Sequence, residues 1–278
     1  MTEWNATSYH KVSAPQTFWG QKVLNRLHVA GDERAIDAGC GSGRLTGELM
    51  ERLPKGRLVA IDRSWNMLMT ARANLRPELG SRVSFVQVSL PDLPFAGWAD
   101  LVFSTATFHW VKDHPALFAG IFTTLRSGGK LHAQCGGGPN LARAHVLAEE
   151  VMHSPEFARY FIDWPGPWEF AYAEVTAERL KTARVAVAMS RLNREDPALD
   201  EINFGDWLRE RGESAAAVDA LWNLLALPTL NLHANDASLA LAATVFQIGL
   251  LESNDGGDVG YARVPLSRLH SDPAVRAL

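Results

Sequence analysis

A glycine-rich run near the start of this chain, and an acid that follows it, have the composition of a nucleotide-binding loop. The run is DAGCGSGR at positions 37–44. Asp62 follows about twenty residues after the last glycine of the run, a spacing typical of an acid that binds a ribose. Glycines at such a turn let the backbone bend tightly and let a ligand lie against the main chain. Taken alone, the run is also compatible with a plain strand-to-helix turn.

The side chains within this run exclude two common phosphate-binding loops. A P-loop requires Gly-Lys-Ser or Gly-Lys-Thr, and the run contains no lysine. A dinucleotide fingerprint requires glycine or alanine at the position of the bulky Arg44. The residues therefore favour a nucleoside ligand without a pyrophosphate, whose ribose hydroxyls donate hydrogen bonds to Asp62.

Alternating strands and helices in the first half of the chain would position this loop. Strands are predicted at Arg34–Asp37, Arg57–Ile61, Arg82–Val88, Ala99–Phe103 and Lys130–Gln134. Helices are predicted at Leu45–Leu53, Ser64–Leu75 and Pro115–Leu125, with Ser64 as an N-cap and a turn at Ser127–Gly129. This alternation predicts an α/β fold with a doubly wound parallel sheet. Ligands bind outside the carboxyl ends of such strands, where the glycine run and Asp62 stand.

The overall composition is that of a soluble globular protein of one large or two modest domains. The chain has 278 residues, of which 47% are hydrophobic and 21% charged, and its net charge is −4. This mildly acidic balance gives no reason to expect nucleic-acid binding. The opening residues show no signal-peptide pattern. Cys40 and Cys135 have neither disulfide nor metal-ligand spacing, so we expect a cytoplasmic protein without a metal site.

The most apolar run of the chain is Ala237–Leu251. It is shorter than the ~20 residues that a membrane-spanning helix needs. We therefore expect no transmembrane segment and predict a buried helix, with weak contact to a membrane surface as the alternative.

Several ordered motifs give the first part of the chain a more specific resemblance. "AIDAGCGSG" followed by "VAID" resembles the first two motifs of the class I S-adenosylmethionine-dependent methyltransferases. "FSTATFHWVKDH", "SGGKLHAQCGGGPN" and the opening "WNATSYHKVSAPQTFWG" are similar to the trans-aconitate methyltransferase-like branch. The resemblance covers about residues 1–183. It implies a Rossmann-like domain that binds S-adenosyl-L-methionine and methylates a carboxylate or hydroxyl of a small molecule.

The resemblance also implies roles for individual residues. It implies that Asp37 holds the glycine loop and that Gly39, Cys40, Gly41 and Gly43 of this loop contact the cofactor. It also implies a ribose contact from Asp62 and adenine contacts from Arg63 and Met67. The family usually has an acid after the third strand, where this chain has Ser89, so either Ser89 or Asp92 would contact the adenine. Ser104, Thr105 and His109 would face the sulfonium, and Tyr9, Gln16 and Trp19 would come from a segment that closes over the cofactor.

His109 is the one candidate for a catalytic residue, as a general base. A packing histidine is the alternative, and Trp19 and Trp110 are likewise compatible with a purely structural role. A carboxylate acceptor is already ionised at neutral pH and needs no base, so the rate would come from aligning its oxygen with the methyl group. Trp164–Trp168 is a candidate wall of the acceptor pocket or a rigid turn.

The stretch Glu178–Pro197 contains no glycine and no proline before its last residue. A methyltransferase of this class has two further strands after the fifth. Val185, Val187 and Met189 alternate as in a strand, but the alanine-rich composition favours a helix over Arg184–Leu192. We therefore predict a helix and a sheet that lacks its last strands.

The chain beyond this stretch is predicted to be mostly helical. Helices are predicted at Phe204–Gly212, after an N-cap at Ser214, and from Asn235 to Leu251. "DPALDEINFGDWLRERGESAAAVDALWNLLALPTLNL" and "GYARVPLSRLHSDPAVRAL" resemble an internal part of the squalene-associated FAD-dependent desaturases, the hydroxysqualene dehydroxylase group, over about residues 184–278. That resemblance implies helices that line a hydrocarbon tunnel. We expect no FAD, because the chain lacks a flavin-binding glycine motif.

The function that these patterns favour is methyl transfer from S-adenosylmethionine to an oxygen of a small molecule. Two alternatives remain. One is a fusion protein that binds S-adenosylmethionine or an isoprenoid but is catalytically impaired because its sheet is incomplete. The other, disfavoured by the missing flavin motif, is a fragment of a flavin-dependent oxidoreductase.

Overall fold

The computed structural model describes residues 3–6, 9 and 13–251, and it contains one sheet of five parallel strands in the order β3-β2-β1-β4-β5. The strands are β1 (Arg34–Ala38), β2 (Arg57–Asp62), β3 (Val83–Gln87), β4 (Ala99–Thr105) and β5 (Leu125–Gln134). The predicted α/β fold with a doubly wound parallel sheet is confirmed. The strand order reverses between β1 and β4, and a crevice for ligands is expected at their carboxyl ends.

The helices of the first part are α1 (Ala14–Leu24), α2 (Arg44–Glu51), α3 (Trp65–Leu79), α4 (His114–Thr124), α5 (Ala142–Met152) and α6 (Ala173–Ser190). Helices α1, α2, α3, α4 and α6 pack against the two faces of the sheet, to which successive strand residues point alternately. Leu58 and Leu101 pack with α1, α2 and α3, whereas Val59 and Val102 pack with α4. Ser64 caps α3 as predicted, since its Oγ accepts a hydrogen bond from the backbone of Met67 at 3.3 Å.

The predicted turn at Ser127–Gly129 was wrong. The chain leaves α4 and enters β5 directly at Leu125, so these residues belong to the strand. The pairing of β4 with β5 shifts register between Ala99 and Leu101. The backbone of Gly128, with φ 77°, accommodates this irregularity, so the glycines form a bulged part of the strand rather than a turn.

Helix α6 runs without interruption from Ala173 to Ser190. The helix predicted from Arg184 is thus confirmed as far as Ser190, as the C-terminal part of this helix rather than as a new one. Leu180 and Ala183 pack with the cluster on the α4 face of the sheet. Within residues 13–251 no strand follows β5, in agreement with the prediction that the sheet lacks its last strands.

The chain divides into two compact units, Met1–Val187 and Ala188–Leu278. The described part of the second unit is helical, with α7 (Phe204–Glu210), α8 (Ala215–Ala217), α9 (Asn223–Leu230) and α10 (Leu239–Phe246). Phe204, Trp222 and Phe246 are buried together, with ring centroids 5.0 to 6.0 Å apart. The predicted N-cap at Ser214 is confirmed by a 3.1 Å hydrogen bond from the backbone of Ala217.

The helix predicted from Asn235 begins four residues later, at Leu239. Ser238 is its N-cap, because the Ser238 Oγ accepts a hydrogen bond from the backbone of Leu241. The side-chain oxygen of Asn235 instead accepts a hydrogen bond from Arg209 at 2.6 Å. The motif "GYARVPLSRLHSDPAVRAL" lies outside the described residues. No helix in the described part of the chain combines the length and the apolar character needed to cross a membrane.

Candidate ligand site

A cavity of about 380 Å³ opens at the carboxyl ends of the strands in the first unit. The glycine run after β1 and Asp62 at the end of β2 border it, as do residues that follow β3 and β4. Its lining consists of Trp4, Tyr9, Gly39, Gly41, Asp62, Arg63, Met67, Val88, Ser89, Leu90, Pro91, Thr105, Ala106, Thr107, Trp110, Val111, Lys112 and Asp113. The cavity lies where the strand order predicts a ligand site.

The backbone of the glycine run follows a path that larger residues cannot adopt. Gly39 has a φ of 84°, and a Cβ built on it would overlap the side chain of Thr107. The backbone N–H groups of Gly39 and Cys40 both donate to the Ile61 carbonyl at 2.8 Å. These bonds hold the run against the end of β2, so its main chain forms one wall of the cavity.

Asp62 connects the run to the following helix. Its Oδ2 accepts a hydrogen bond from the Gly41 N–H at 2.9 Å, and its Oδ1 accepts one from the Ser64 N–H at 2.8 Å. Burial raises the pKa of this carboxyl, and the two N–H donors act against that rise. The carboxylate is held in one orientation at the edge of the cavity, as a ribose-binding acid requires.

Asp37 lies beneath the run rather than in the cavity. Its side chain is buried, and the Thr46 hydroxyl donates to its Oδ2 at 2.6 Å. Burial raises the Asp37 pKa to about 7, an effect that the Thr46 hydrogen bond opposes and the nearby Asp62 increases. Asp37 therefore contacts the protein and not the cavity, consistent with a role in holding the loop.

The other residues predicted to bind the cofactor divide into two groups. Arg63, Met67 and Ser89 line the cavity, whereas Asp92 is not among its lining residues. Ser104 does not line it either, because its side chain is buried and its hydroxyl donates to the Ala38 carbonyl at 2.6 Å.

Gly43 and Cys40 also lie away from the main cavity. A Cβ on Gly43 would come within 2.9 Å of Ala71 and 2.8 Å of Leu75, so this glycine allows α2 and α3 to pack closely. Cys40 borders only a small recess of about 50 Å³ next to Gln16. Its thiol is buried, and burial raises its pKa well above the ordinary value, which makes it unreactive.

A second chamber, of about 670 Å³, adjoins the first cavity, and Tyr9, Ala106 and Trp110 line both. We call it the acceptor chamber. Its lining consists of Tyr9, Gln16, Trp19, Ala106, His109, Trp110, Gln134, Cys135, Gly136, Gly137, Pro139, Asn140, Leu141, Trp168 and Phe170. His109 and Trp19, predicted beside the cofactor, border this chamber and not the first cavity. Trp168 of the candidate pocket wall also borders it, but Trp164 does not.

The neutral form of His109 is held in one tautomer. The Gly136 N–H donates to its Nδ1 at 3.1 Å, so the ring proton is on Nε2. Burial and, to a smaller extent, the nearby His114 lower the His109 pKa to about 4. At neutral pH the ring is therefore uncharged and presents Nε2–H as a hydrogen-bond donor, a form that favours a positioning role over that of a general base.

Aromatic rings form one side of the acceptor chamber. Trp168 and Phe170 are stacked with centroids 5.6 Å apart and an interplanar angle of 18°. His109 lies 5.4 Å from Phe170, and Trp110 lies 5.6 Å from Trp168. His145 stacks behind Trp168 at 5.5 Å. The wall is thus a continuous set of ring faces and edges.

Known proteins resemble this chain in sequence and in fold. The family described as "Methyltransferase domain" matches residues 35–129. The trans-aconitate 2-methyltransferase of Rhizobium etli is 30% identical over 190 residues, which cover 68% of this chain and 67% of that protein. That of Acidovorax ebreus is 33% identical over 134 residues, 48% of this chain and 50% of that protein. The chain therefore spans about half the length of this last relative.

A solved structure of another protein resembles this chain in fold. The protein named a methyltransferase in the Haloferax volcanii complex with the Trm112 methyltransferase activator has a TM-score of 0.53 and 18% identity, over 66% of this chain and 77% of that chain. This likeness concerns the fold, whereas the 30% identical relative from Rhizobium etli shows the family. The chain belongs to the class I S-adenosylmethionine-dependent methyltransferases, and its homologues include trans-aconitate methyltransferases at about 30% identity.

The sequence similarity to methyltransferases extends past residue 183. The match to the trans-aconitate 2-methyltransferase of Rhizobium rhizogenes is 29% identical and covers 77% of this chain, a larger share than residues 1–183 comprise. The comparisons give no support to the desaturase resemblance of residues 184–278.

Several lining residues were not identified from the sequence. Thr107 follows β4 and contacts the glycine run, since its hydroxyl donates to the Gly39 carbonyl at 3.4 Å. In the sequence, its position just after a predicted strand was the signal that could have identified it as a lining residue. Gln134 ends β5 and offered the same signal. Phe170 gave no such signal, because only the packing of distant segments brings it to the acceptor chamber.

Proposed function

We propose that this chain transfers a methyl group from S-adenosylmethionine to an oxygen, carboxylate or hydroxyl, of a small molecule. The observation that carries the proposal is that two adjoining spaces share three lining residues at the carboxyl ends of β1 and β4. One space has the features of a nucleoside site and the other is a separate chamber for an acceptor. A methyl group at their junction would be accessible from both.

The residues of the first cavity fit S-adenosylmethionine. Any Cβ at position 39 would meet Thr107, so only glycine keeps the main chain open there. Asp62 presents a carboxylate that two backbone N–H groups hold in one orientation. In this proposal Gly39 and Gly41 contact the methionine and ribose part, Asp62 accepts hydrogen bonds from the ribose hydroxyls, and Arg63 and Met67 flank the adenine. Ser89, which lines the cavity, takes the place of the acid that usually follows β3.

The bound cosubstrate supplies an electrophilic methyl group on a sulfonium. The chain's part in the reaction is then to align an acceptor oxygen with that methyl group and to exclude water. Tyr9 and Trp110 border both spaces and would enclose the junction. Burial raises the Tyr9 pKa, so its hydroxyl remains a neutral donor. His109 Nε2–H is a second donor for an acceptor carboxylate, which needs no base.

In this proposal the methyltransferase site belongs to residues 1–183, and the rest of the chain, which is helical in its described part up to residue 251, has no assigned role. The two cysteines are free thiols, which supports the predicted cytoplasmic location. The five-stranded sheet favours one alternative, a protein that binds S-adenosylmethionine without turnover, because missing edge strands can weaken such a domain.

Calorimetry with S-adenosylhomocysteine tests the binding part of the proposal. We expect the wild-type protein to bind it and Asp62→Ala to bind roughly ten- to a hundredfold more weakly, the effect of losing hydrogen bonds to a charged group. Asp92→Ala is the matched control, because Asp92 also follows a strand but does not line the cavity. Absence of binding to the wild type, or equal binding to Asp62→Ala, would contradict the proposal. Turnover of labelled S-adenosylmethionine with an acceptor then separates an active enzyme from a binding protein.

A further inference from the structure

The acceptor chamber has a composition that selects a substrate class. Resting on the proposed function, we infer that the acceptor is a planar aromatic acid with a single carboxylate and a hydroxyl substituent, methylated on the carboxylate. Four features of the chamber carry this inference: its stacked rings, a lining that includes no lysine or arginine among the described residues, the donor on His109 and two buried amide oxygens.

The ring wall favours a flat acceptor. Trp168 and Phe170 are nearly parallel, and His109 and Trp110 extend the wall toward the shared junction. Aromatic rings prefer offset-stacked or edge-to-face partners with centroids about 4.5–7 Å apart. A flexible aliphatic polyacid would not use these surfaces, whereas a benzene ring would stack on them.

The charges of the described lining favour an acceptor with one carboxylate. Among the residues that the structure describes, the chamber lining includes no lysine and no arginine. A single carboxylate is matched by the single positive charge of the methyl donor. Each further carboxylate would be buried without a cationic partner among the described lining residues, which is costly. A tricarboxylate is therefore disfavoured in this chamber.

His109 gives the carboxylate its orientation. Because the Gly136 N–H occupies Nδ1, the ring proton is on Nε2, and Nε2 has no other partner among the described residues. A neutral donor at this place suits an ionised oxygen, and a phenol would need a base to lose its proton. The geometry thus favours the carboxylate over the hydroxyl as the methylated group.

Two buried amide oxygens account for the hydroxyl substituent. Gln16 and Gln134 both line the chamber, and the Oε1 atom of each is buried without a hydrogen-bond partner. A buried acceptor without a partner costs about 1–3 kcal/mol. The Gln134 Nε2 donates to the Cys135 carbonyl at 3.3 Å, which leaves Oε1 as the unpaired atom of that amide. A hydroxyl donates one hydrogen bond, so it satisfies one of the two oxygens.

The transfer balances without a base or a further reactant. A lone pair of the carboxylate oxygen forms the new C–O bond to the methyl carbon, and the C–S bond breaks. Its electron pair remains on sulfur, which becomes a neutral thioether. The products are a methyl ester and S-adenosylhomocysteine, and no proton is transferred.

The test measures turnover of labelled S-adenosylmethionine with 4-hydroxybenzoate, benzoate and trans-aconitate, and identifies the product as an ester by its release in alkali. We expect 4-hydroxybenzoate to react at least tenfold faster than benzoate at low concentration, and trans-aconitate to be slowest. Faster turnover of trans-aconitate, or a protein that binds S-adenosylhomocysteine but methylates neither aromatic acid, overturns the inference and leaves the proposed function intact. Failure to bind S-adenosylhomocysteine overturns both.

Two variants test the assigned contacts. Trp168→Leu should raise the KM for 4-hydroxybenzoate at least tenfold without changing S-adenosylhomocysteine affinity. Trp164→Leu, a tryptophan four residues earlier that does not line the chamber, should change neither. Gln134→Leu should reduce the preference for 4-hydroxybenzoate over benzoate. An unchanged KM in Trp168→Leu, or an unchanged preference in Gln134→Leu, contradicts the assignment.

Discussion

Asp37 should make the stability of this protein depend on pH in a direction unusual for an acid. Most carboxylates in folded proteins stabilise the native state when ionised. Asp37 is buried beneath the glycine run with a pKa of about 7, against an ordinary value of 3.8. Between these two pH values the native state holds a proton that the unfolded chain has released. Stability therefore falls as the pH rises through this window.

The size of the effect follows from the pKa difference. Each pKa unit corresponds to 1.36 kcal/mol, so the rise from 3.8 to about 7 amounts to about 4 kcal/mol. Asp37→Asn keeps an oxygen that accepts the Thr46 hydrogen bond but does not ionise. Relative to wild type, its free energy of unfolding should improve by about 4 kcal/mol between pH 4 and pH 8. Any cost of the new amide N–H₂ group is the same at both pH values and cancels.

Urea unfolding of the two proteins without ligand, at several pH values from 4 to 8, measures this difference. Groups that the two proteins share contribute equally, so only the difference between them is interpreted. Asp92→Asn, at an exposed position, is the control for the replacement of one acid by its amide. If the free energy of unfolding of Asp37→Asn changes with pH in parallel with that of the wild type, the burial argument is refuted. If the wild type gains stability relative to the variant as the pH rises, the pKa shift has the opposite sign.

The remaining predictions concern the glycine run and the second unit. Gly39→Ala should lower S-adenosylhomocysteine affinity at least tenfold by calorimetry, because its Cβ would overlap Thr107. Gly80→Ala, with a φ of +57° and no atom within 4 Å of the added Cβ, should leave affinity unchanged; equal affinity of both variants would contradict the role of Gly39. Trp222→Ala should destabilise the second unit by about 3–5 kcal/mol in thermal unfolding, since Trp222 is only 2% exposed. Trp65→Ala, at a site 51% exposed, should cost far less, and an equal loss would contradict the proposed core.

Local patterns predicted the sheet because burial on both faces acts on each strand separately. Apolar residues in β1, β2 and β4 pack alternately with the two helical layers, and this two-sided burial appears in the sequence as short apolar runs. The continuation of α6 through Arg184 was predictable for a similar reason. A stretch rich in alanine and without glycine or proline has no local reason to end its helix.

Boundaries and individual contacts were less predictable. Gly128 and Gly129 are typical of a turn, but pairing with β4 made them part of β5. Ser104 and Thr105 are neighbours in β4, but their side chains point to opposite sides of the strand. The Ser104 hydroxyl donates to the Ala38 carbonyl, whereas Thr105 lines the cavity. A difference of one residue along a strand reverses the face, and a motif comparison does not resolve it.

The sequence by itself located the glycine run and Asp62 at one side of the first cavity, because both stand at the ends of neighbouring strands within a short stretch of chain. The backbone path at Gly39 and the hydrogen bond from Gly41 to Asp62 follow from residue type and strand order. Only the tertiary structure decided the acceptor side. It brings Gln134 and Phe170 together with His109, and the Gly136 N–H fixes which nitrogen of that histidine carries the proton. These contacts join segments far apart in the chain, so no local pattern in the sequence encodes them.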